Sequence, residues 1–159
     1  MPIACTFRLN SRPTSDLCCA GVGNYPAFSG NGTDTNNPAG VGHVNTGAIP
    51  PGLYYVLQRA SGGTLGFLRD LLGPIASTDR SQWFALYRND GVIDDETYIN
   101  QVRRGEFRLH PIGPLGISQG CITLFQVAQF NTLRQRLLAT TPISIPNTAL
   151  RAFGTVTVS

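Results

Sequence analysis

Eighteen glycines and eleven prolines are spread through a chain of 159 residues, and they restrict it to short elements. In a helix interior glycine costs about 1 kcal/mol and proline about 3 kcal/mol relative to alanine, and both also interrupt strand ladders. Short strands joined by many turns therefore follow, with little room for long helices. Alternation marks strands at residues 3–9, 53–58, 83–87 and 153–158. Residues 10–16 carry turn chemistry around Pro13, and Pro50-Pro51-Gly52 leads into the second strand. Asp90-Gly91 reads as a hairpin turn after the third.

Two stretches have helical spacing. Leu65, Leu68 and Leu72 repeat at that period and are closed by Gly73-Pro74. Residues 125–138 form the stronger candidate, with Leu133 and Leu137 four apart and Gln126, Gln129 and Gln135 favouring helix or its wet side. The expected fold is mainly β, a β-rich α+β curved sheet or sandwich with one principal helix. An apolar share of 42% supports a core, and the length suits one domain over residues 1–159.

All twelve basic residues are arginine, and a net charge of +3 is too mild and dispersed to point to nucleic acid. No run approaches the ~18 apolar residues of a membrane helix. Arg8, Asn10, Ser11 and Arg12 stand where a signal peptide would carry its apolar region, so an extracytoplasmic role would require another export route. Cys5, Cys18 and Cys19 cluster near the N-terminus, and their spacing is not that of a zinc site. Cys5 can pair with Cys18 or with Cys19 in an oxidising compartment, or all three can be buried thiols. No metal or organic cofactor is expected.

The chemistry concentrates in Phe107-Arg-Leu-His110-Pro-Ile-Gly-Pro-Leu-Gly-Ile-Ser118-Gln-Gly120-Cys121-Ile-Thr-Leu124. His110 sits at the exit of a short strand, glycines and prolines force a loop, and the chain returns to Cys121. Such a return can set imidazole and thiol side by side, so that the imidazole takes the proton and the thiolate attacks. Arg108 is expected on His110's side only in a bulged strand and receives no role. A helix beginning soon after Cys121 would favour the thiolate through its dipole.

His110 followed by Ser118-x-Gly120-Cys121 resembles the L,D-transpeptidase signature. The form around Phe107–Leu124, with Tyr25-Pro-Ala-Phe-Ser-Gly30, Asn45-Thr-Gly-Ala-Ile-Pro-Pro-Gly-Leu-Tyr54 and Phe153-Gly-Thr-Val-Thr-Val158, is similar to the Tlde1 branch, toxins of the type VI secretion system. Pro111 replaces the glycine that usually follows the histidine, and Thr123 the arginine often found two positions after the cysteine. The resemblance implies a cysteine acyltransferase acting on peptidoglycan stem tetrapeptides, by L,D-carboxypeptidase cleavage or L,D-transpeptidase exchange of the terminal D-alanine. Cys121 would be nucleophile and His110 base, with Ser118 supporting the histidine or the turn and backbone N–H groups near Gly120 holding the oxyanion. Tyr25 and Ser29 would line the groove. The resemblance also implies a cognate immunity protein and delivery by type VI components, from the cytoplasm of the producing bacterium to the target-cell periplasm.

Other residues receive ordinary readings. Asp94, Asp95 and Glu96 are a solvated turn or helix cap, and His43 a loop residue. Two alternatives stand beside the enzyme: a non-catalytic β-rich wall-binding or adaptor domain, and a different Cys–His peptidase or amidase. Papain-like and NlpC-type peptidases place cysteine before histidine, the reverse of the order here.

Overall fold

Alternating burial decides the architecture of the computed structural model, which describes residues 1–58 and 80–159. In β1 (Ile3–Phe7) the side chains of Ile3, Cys5 and Phe7 are buried and those between them exposed. β2 (Ser15–Cys19) repeats the pattern with Ser15, Leu17 and Cys19. Each strand can thus turn one face to a shared interior. The remaining strands are β3 (Gly23–Phe28), β4 (Gly52–Gln58), β5 (Phe84–Arg88), β6 (Glu96–Ile99), β7 (Val102–Gly105), β8 (Arg108–Pro111), β9 (Ile122–Leu124), β10 (Ile143–Ser144), β11 (Arg151–Ala152) and β12 (Gly154–Val158). Eight of them close a barrel in the order β1-β12-β4-β5-β8-β9-β3-β2. The expected curved, β-rich sheet is present, and closure removes its edges.

Six of the eight pairings are antiparallel, while β1–β12 and β8–β9 are parallel. Phe7, Leu17, Tyr25, Tyr54, Val56, Phe84, Leu86, Leu109, Ile122 and Val156 share the barrel core. The principal helix α1 (Val127–Leu138) starts two residues later than expected and seats Phe130, Leu133 and Leu137 in that core. Burying each such side chain stabilises by about 1.5–3 kcal/mol. On the outer face, Leu57 and Ala85 pack with Ile145 and Ala152 from the β10–β11 region.

Three local expectations change. β2 starts at Ser15 and Asp16, the end of the stretch read as turn, because Ser15 and Leu17 face inward once β1 and β3 flank them. Asp90-Gly91 does not make a two-residue hairpin, since β5 pairs with β4 and β8. The hairpin is instead β6–β7, turned at Asn100 and Gln101 with φ of 47° and 68°. Both positive angles match a turn whose twist suits a hairpin. Third, the cysteine alternatives resolve by parity. Cys5 and Cys19 face each other inside, Cα to Cα 4.0 Å, and are bridged, whereas Cys18 points the other way as a free thiol. The helix expected at residues 65–72 lies outside the described residues.

Candidate active site

The parallel pairing of β8 with β9 places the site. Parallel neighbours usually need a crossover of a dozen or more residues, and here the connection is the glycine- and proline-rich loop 112–121. Leu109 lies opposite Ile122, with both in the core, so their neighbours His110 and Thr123 project from the outer face of the wall. Cys121 precedes Thr123 by two positions and shares that face, about 7 Å back along the strand at ~3.3 Å per residue. His110 and Cys121 are therefore diagonal neighbours on one surface. Arg108 shares His110's face on an unbulged strand, as a period of two requires, which corrects the expectation of a bulge.

The His110 ring is defined on both sides. Its Nδ1 donates to the Pro111 carbonyl at 2.7 Å. A carbonyl only accepts, so the proton sits on Nδ1 and Nε2 carries the lone pair. Thr123 Oγ1 donates to that Nε2 at 3.3 Å. Trp83 stacks on the imidazole with centroids 4.2 Å apart and planes 18° off parallel. Burial is the main reason the imidazole is pushed down to about 4, and the Arg108 and Arg80 charges add to it.

Cys121 is 5% exposed, and its Sγ contacts the Glu106 carbonyl at 3.8 Å. Burial pushes the thiol up to about 11; the Arg108 charge and a backbone hydrogen bond from Arg108 oppose that, while Asp95 and Glu106 reinforce it. The resting pair is thus a neutral imidazole and a protonated thiol. Desolvation by burial is the largest cause of both shifts. The helix dipole does not act on the sulfur, because the whole of β9 separates Cys121 from α1.

The turn before the thiol is held by its own atoms. Ser118 Oγ donates to the Cys121 carbonyl at 2.7 Å and accepts from the N–H groups of Gly120 and Gly30, each at 3.3 Å. Ser118 thus braces the turn. Gly120 has φ of +116°, and a Cβ there would lie 2.7 Å from the Phe107 ring and 2.8 Å from the Arg104 guanidinium. Only glycine fits that angle and that space without a shift.

The proposed groove residues sit behind this surface. Ser29 is fully buried, donating to the Gly120 carbonyl at 3.1 Å and accepting from Ile49 N–H at 2.8 Å. Tyr25 faces the barrel core. Arg104 also ties the long connection between β3 and β4 to the turn, donating to the carbonyls of Val41, Gly47 and Gln119. His43 lies apart on that loop, its Nδ1 2.9 Å from Asp34, whose carboxyl the Thr46 hydroxyl and His43 hold below the usual range.

Three contributors escaped the sequence reading. Trp83 looked like one more strand aromatic, and Thr123 like a departure from a motif. Asp95, read as solvated, makes a two-pronged bond to Arg108, Oδ1 to Nη1 and Oδ2 to Nη2, both at 2.6 Å. Its neighbours behave as read: Asp94 accepts from the Glu96 N–H, and Glu96 pairs with Arg103 in the open. Among the described residues, no group of three or more His, Cys, Asp or Glu side chains is arranged to hold a metal ion. No helix among them is long and apolar enough to cross a membrane.

Against known proteins, the family model described as the Tlde1 domain matches residues 23–148. Neither a curated protein sequence nor a solved structure matches the chain.

Proposed function

This chain belongs to the Tlde1 family of type VI secretion effectors, and we propose that it is an antibacterial enzyme acting on peptidoglycan stem tetrapeptides through Cys121. The observation that carries this reading is the shared outer face of β8 and β9, where His110 with an Nε2 lone pair lies diagonally from the thiol. The reaction is acyl transfer. As substrate enters, the Cys121 proton passes to His110 Nε2, and Sγ attacks the carbonyl of the third stem residue, an L-centre such as diaminopimelate. Backbone N–H groups at the Gly120-Cys121 turn meet the charge on the oxygen. The peptide bond breaks, the terminal D-alanine leaves with the proton from His110, and a thioester remains. Water completes carboxypeptidase cleavage, whereas a D-amino acid or a second stem completes exchange or crosslinking.

A neutral resting pair suits this order, since proton transfer then accompanies attack and needs no standing ion pair. Ser118 and Ser29 act by fixing the turn, and Trp83 by fixing the ring. The Cys5–Cys19 bridge supports action in an oxidising compartment such as the target-cell periplasm. Type VI delivery from the producer's cytoplasm and a protective immunity protein complete the reading.

Burial of Cys121 and its contact with the Glu106 carbonyl favour a second reading, a non-catalytic wall-binding domain. Mass spectrometry of disaccharide tetrapeptide incubated with the protein or with Cys121→Ala separates the two. Loss of one alanine, or its exchange for an added D-amino acid, is expected with the unaltered chain alone. An intact tetrapeptide in both samples, with folded protein and reduced Cys121, would overturn the enzyme.

A further inference from the structure

We propose that the buried Arg108–Asp95 pair is a positioning unit of the active site, its guanidinium serving as the counter-charge for the Cys121 thiolate formed during attack. The proposal rests on Cys121 being the nucleophile. Arg108 opens β8 on the same face as His110, and the parallel register sets Cys121 beside it, one step before the Ile122–Leu109 pair. Its side chain is 9% exposed. Two of its N–H donors go to the Asp95 carboxylate at 2.6 Å, and Nη1 also donates to the Phe107 carbonyl at 2.8 Å. Nε is buried without a hydrogen-bond partner. Folded proteins rarely leave such a donor unpaired, and a site that must accept a transient anion gives it a use.

Every charged or titratable group acting on the sulfur fits this division of labour. Arg108 favours the thiolate by its charge and by its backbone N–H, while Asp95 from the β5–β6 connection and Glu106 ahead of β8 oppose it. Arg104 from β7 also feels the Cys121 charge, and its guanidinium donates to the Gln119 carbonyl in the turn. His110 shares the face in its neutral form. Tyr87 of β5 borders the Arg108–Asp95 pair as a neutral phenol, pushed up by burial and by Asp95. Asp95 therefore does two opposed things: it holds the guanidinium in place and offsets part of its charge.

A brace between β8 and the β5–β6 connection would need the same bonds, so the test must separate charge from bracing. Cys121 ionisation is followed by iodoacetamide alkylation against pH, in the full chain carrying Cys18→Ser with the Cys5–Cys19 bridge intact. Asp95→Asn leaves the guanidinium charge unopposed and should speed alkylation at pH 8 by about threefold to tenfold, one pKa unit being a tenfold change in thiolate. Arg108→Gln should slow it by a similar factor, and Arg108→Lys should restore part of the rate. Opposite shifts support the counter-charge. Shifts of the same sign, or none, overturn it, because bracing alone loosens the site in both variants. If Arg108→Gln does not fold, Asp95→Asn decides: faster alkylation supports the proposal, and unchanged or slower alkylation overturns it. No substrate enters the measurement. A protein showing opposed shifts that leaves tetrapeptide intact would lose the peptidoglycan reading and keep this one, and turnover without opposed shifts would do the reverse.

Discussion

Two pairs of neighbouring strands carry reactive side chains in this barrel, and they use them in contrary ways. Between β1 and β2, antiparallel register puts Cys5 directly opposite Cys19 on the inner face, and the two sulfurs bond. Between β8 and β9, parallel register puts His110 opposite Thr123 and leaves Cys121 two positions back on the outer face. The directly opposed cysteines are bonded, whereas the diagonal His110 and Cys121 share a face without a bond between them.

The sharpest way to break that contrast is at the offset pair itself. His110→Ala should lower turnover of the tetrapeptide by about 10²–10⁴-fold, the usual contribution of general acid–base catalysis, measured at a temperature where the variant is still folded because losing the buried ring also lowers stability. Equal turnover in the two forms would deny the diagonal pair its role. At the bonded pair the loss should instead be one of stability. Cys5→Ser with Cys19→Ser opens a loop of sequence separation 14 and should cost about 3 kcal/mol in urea unfolding, by chain entropy. A loss of turnover at full stability would mean that the bridge reaches the site.

Acid should expose the site's burial in a similar measure. In the unfolded chain His110 takes up its proton near 6.5, whereas burial delays this to about 4 in the fold. Between those values the unfolded state binds the more protons. The full contribution is therefore present above pH 6.5 and lost as pH falls to 4, by about 3 kcal/mol. Asp34, held low by Thr46 and His43, weakens the fold in the same direction at lower pH, so the comparison must be between the unaltered chain and His110→Gln. The variant should lose less stability between pH 7 and pH 4.5, and an equal loss would place His110 in solvent. Smallest is Ser118→Ala, expected to cost about 1–2 kcal/mol because it strands the Cys121 carbonyl, the Gly120 N–H in the turn and the Gly30 N–H after β3. A neutral result would mean that the site turn holds without its hydroxyl.

Much of this could be read from neighbouring residues. Alternation in residues 3–9, 53–58 and 153–158 became β1, β4 and β12, since burial on one face needs only period two. The spacing of Leu133 and Leu137 carried α1, and the His110-to-Cys121 stretch with its flanking motifs carried the family. β2 was missed because Ser15 and Asp16 read as turn until flanking strands supply the ladder. Asp95 was missed because three successive acidic residues look alike on paper, and only one lies opposite a buried guanidinium.

Sequence alone determined the alternation behind β1, β4 and β12, the principal helix, and the motifs that mark the family. Tertiary structure decided the choice of Cys19 over Cys18, the closing of β1 on β12, the diagonal offset of His110 from Cys121, and their neutral resting state. The physical reason is distance along the chain. Alternation and turn chemistry act between neighbours, whereas register and burial are set by strands up to 151 positions apart, as in Ile3 opposite Gly154. A disulfide, an ion pair or a shifted pKa exists only once those strands have met.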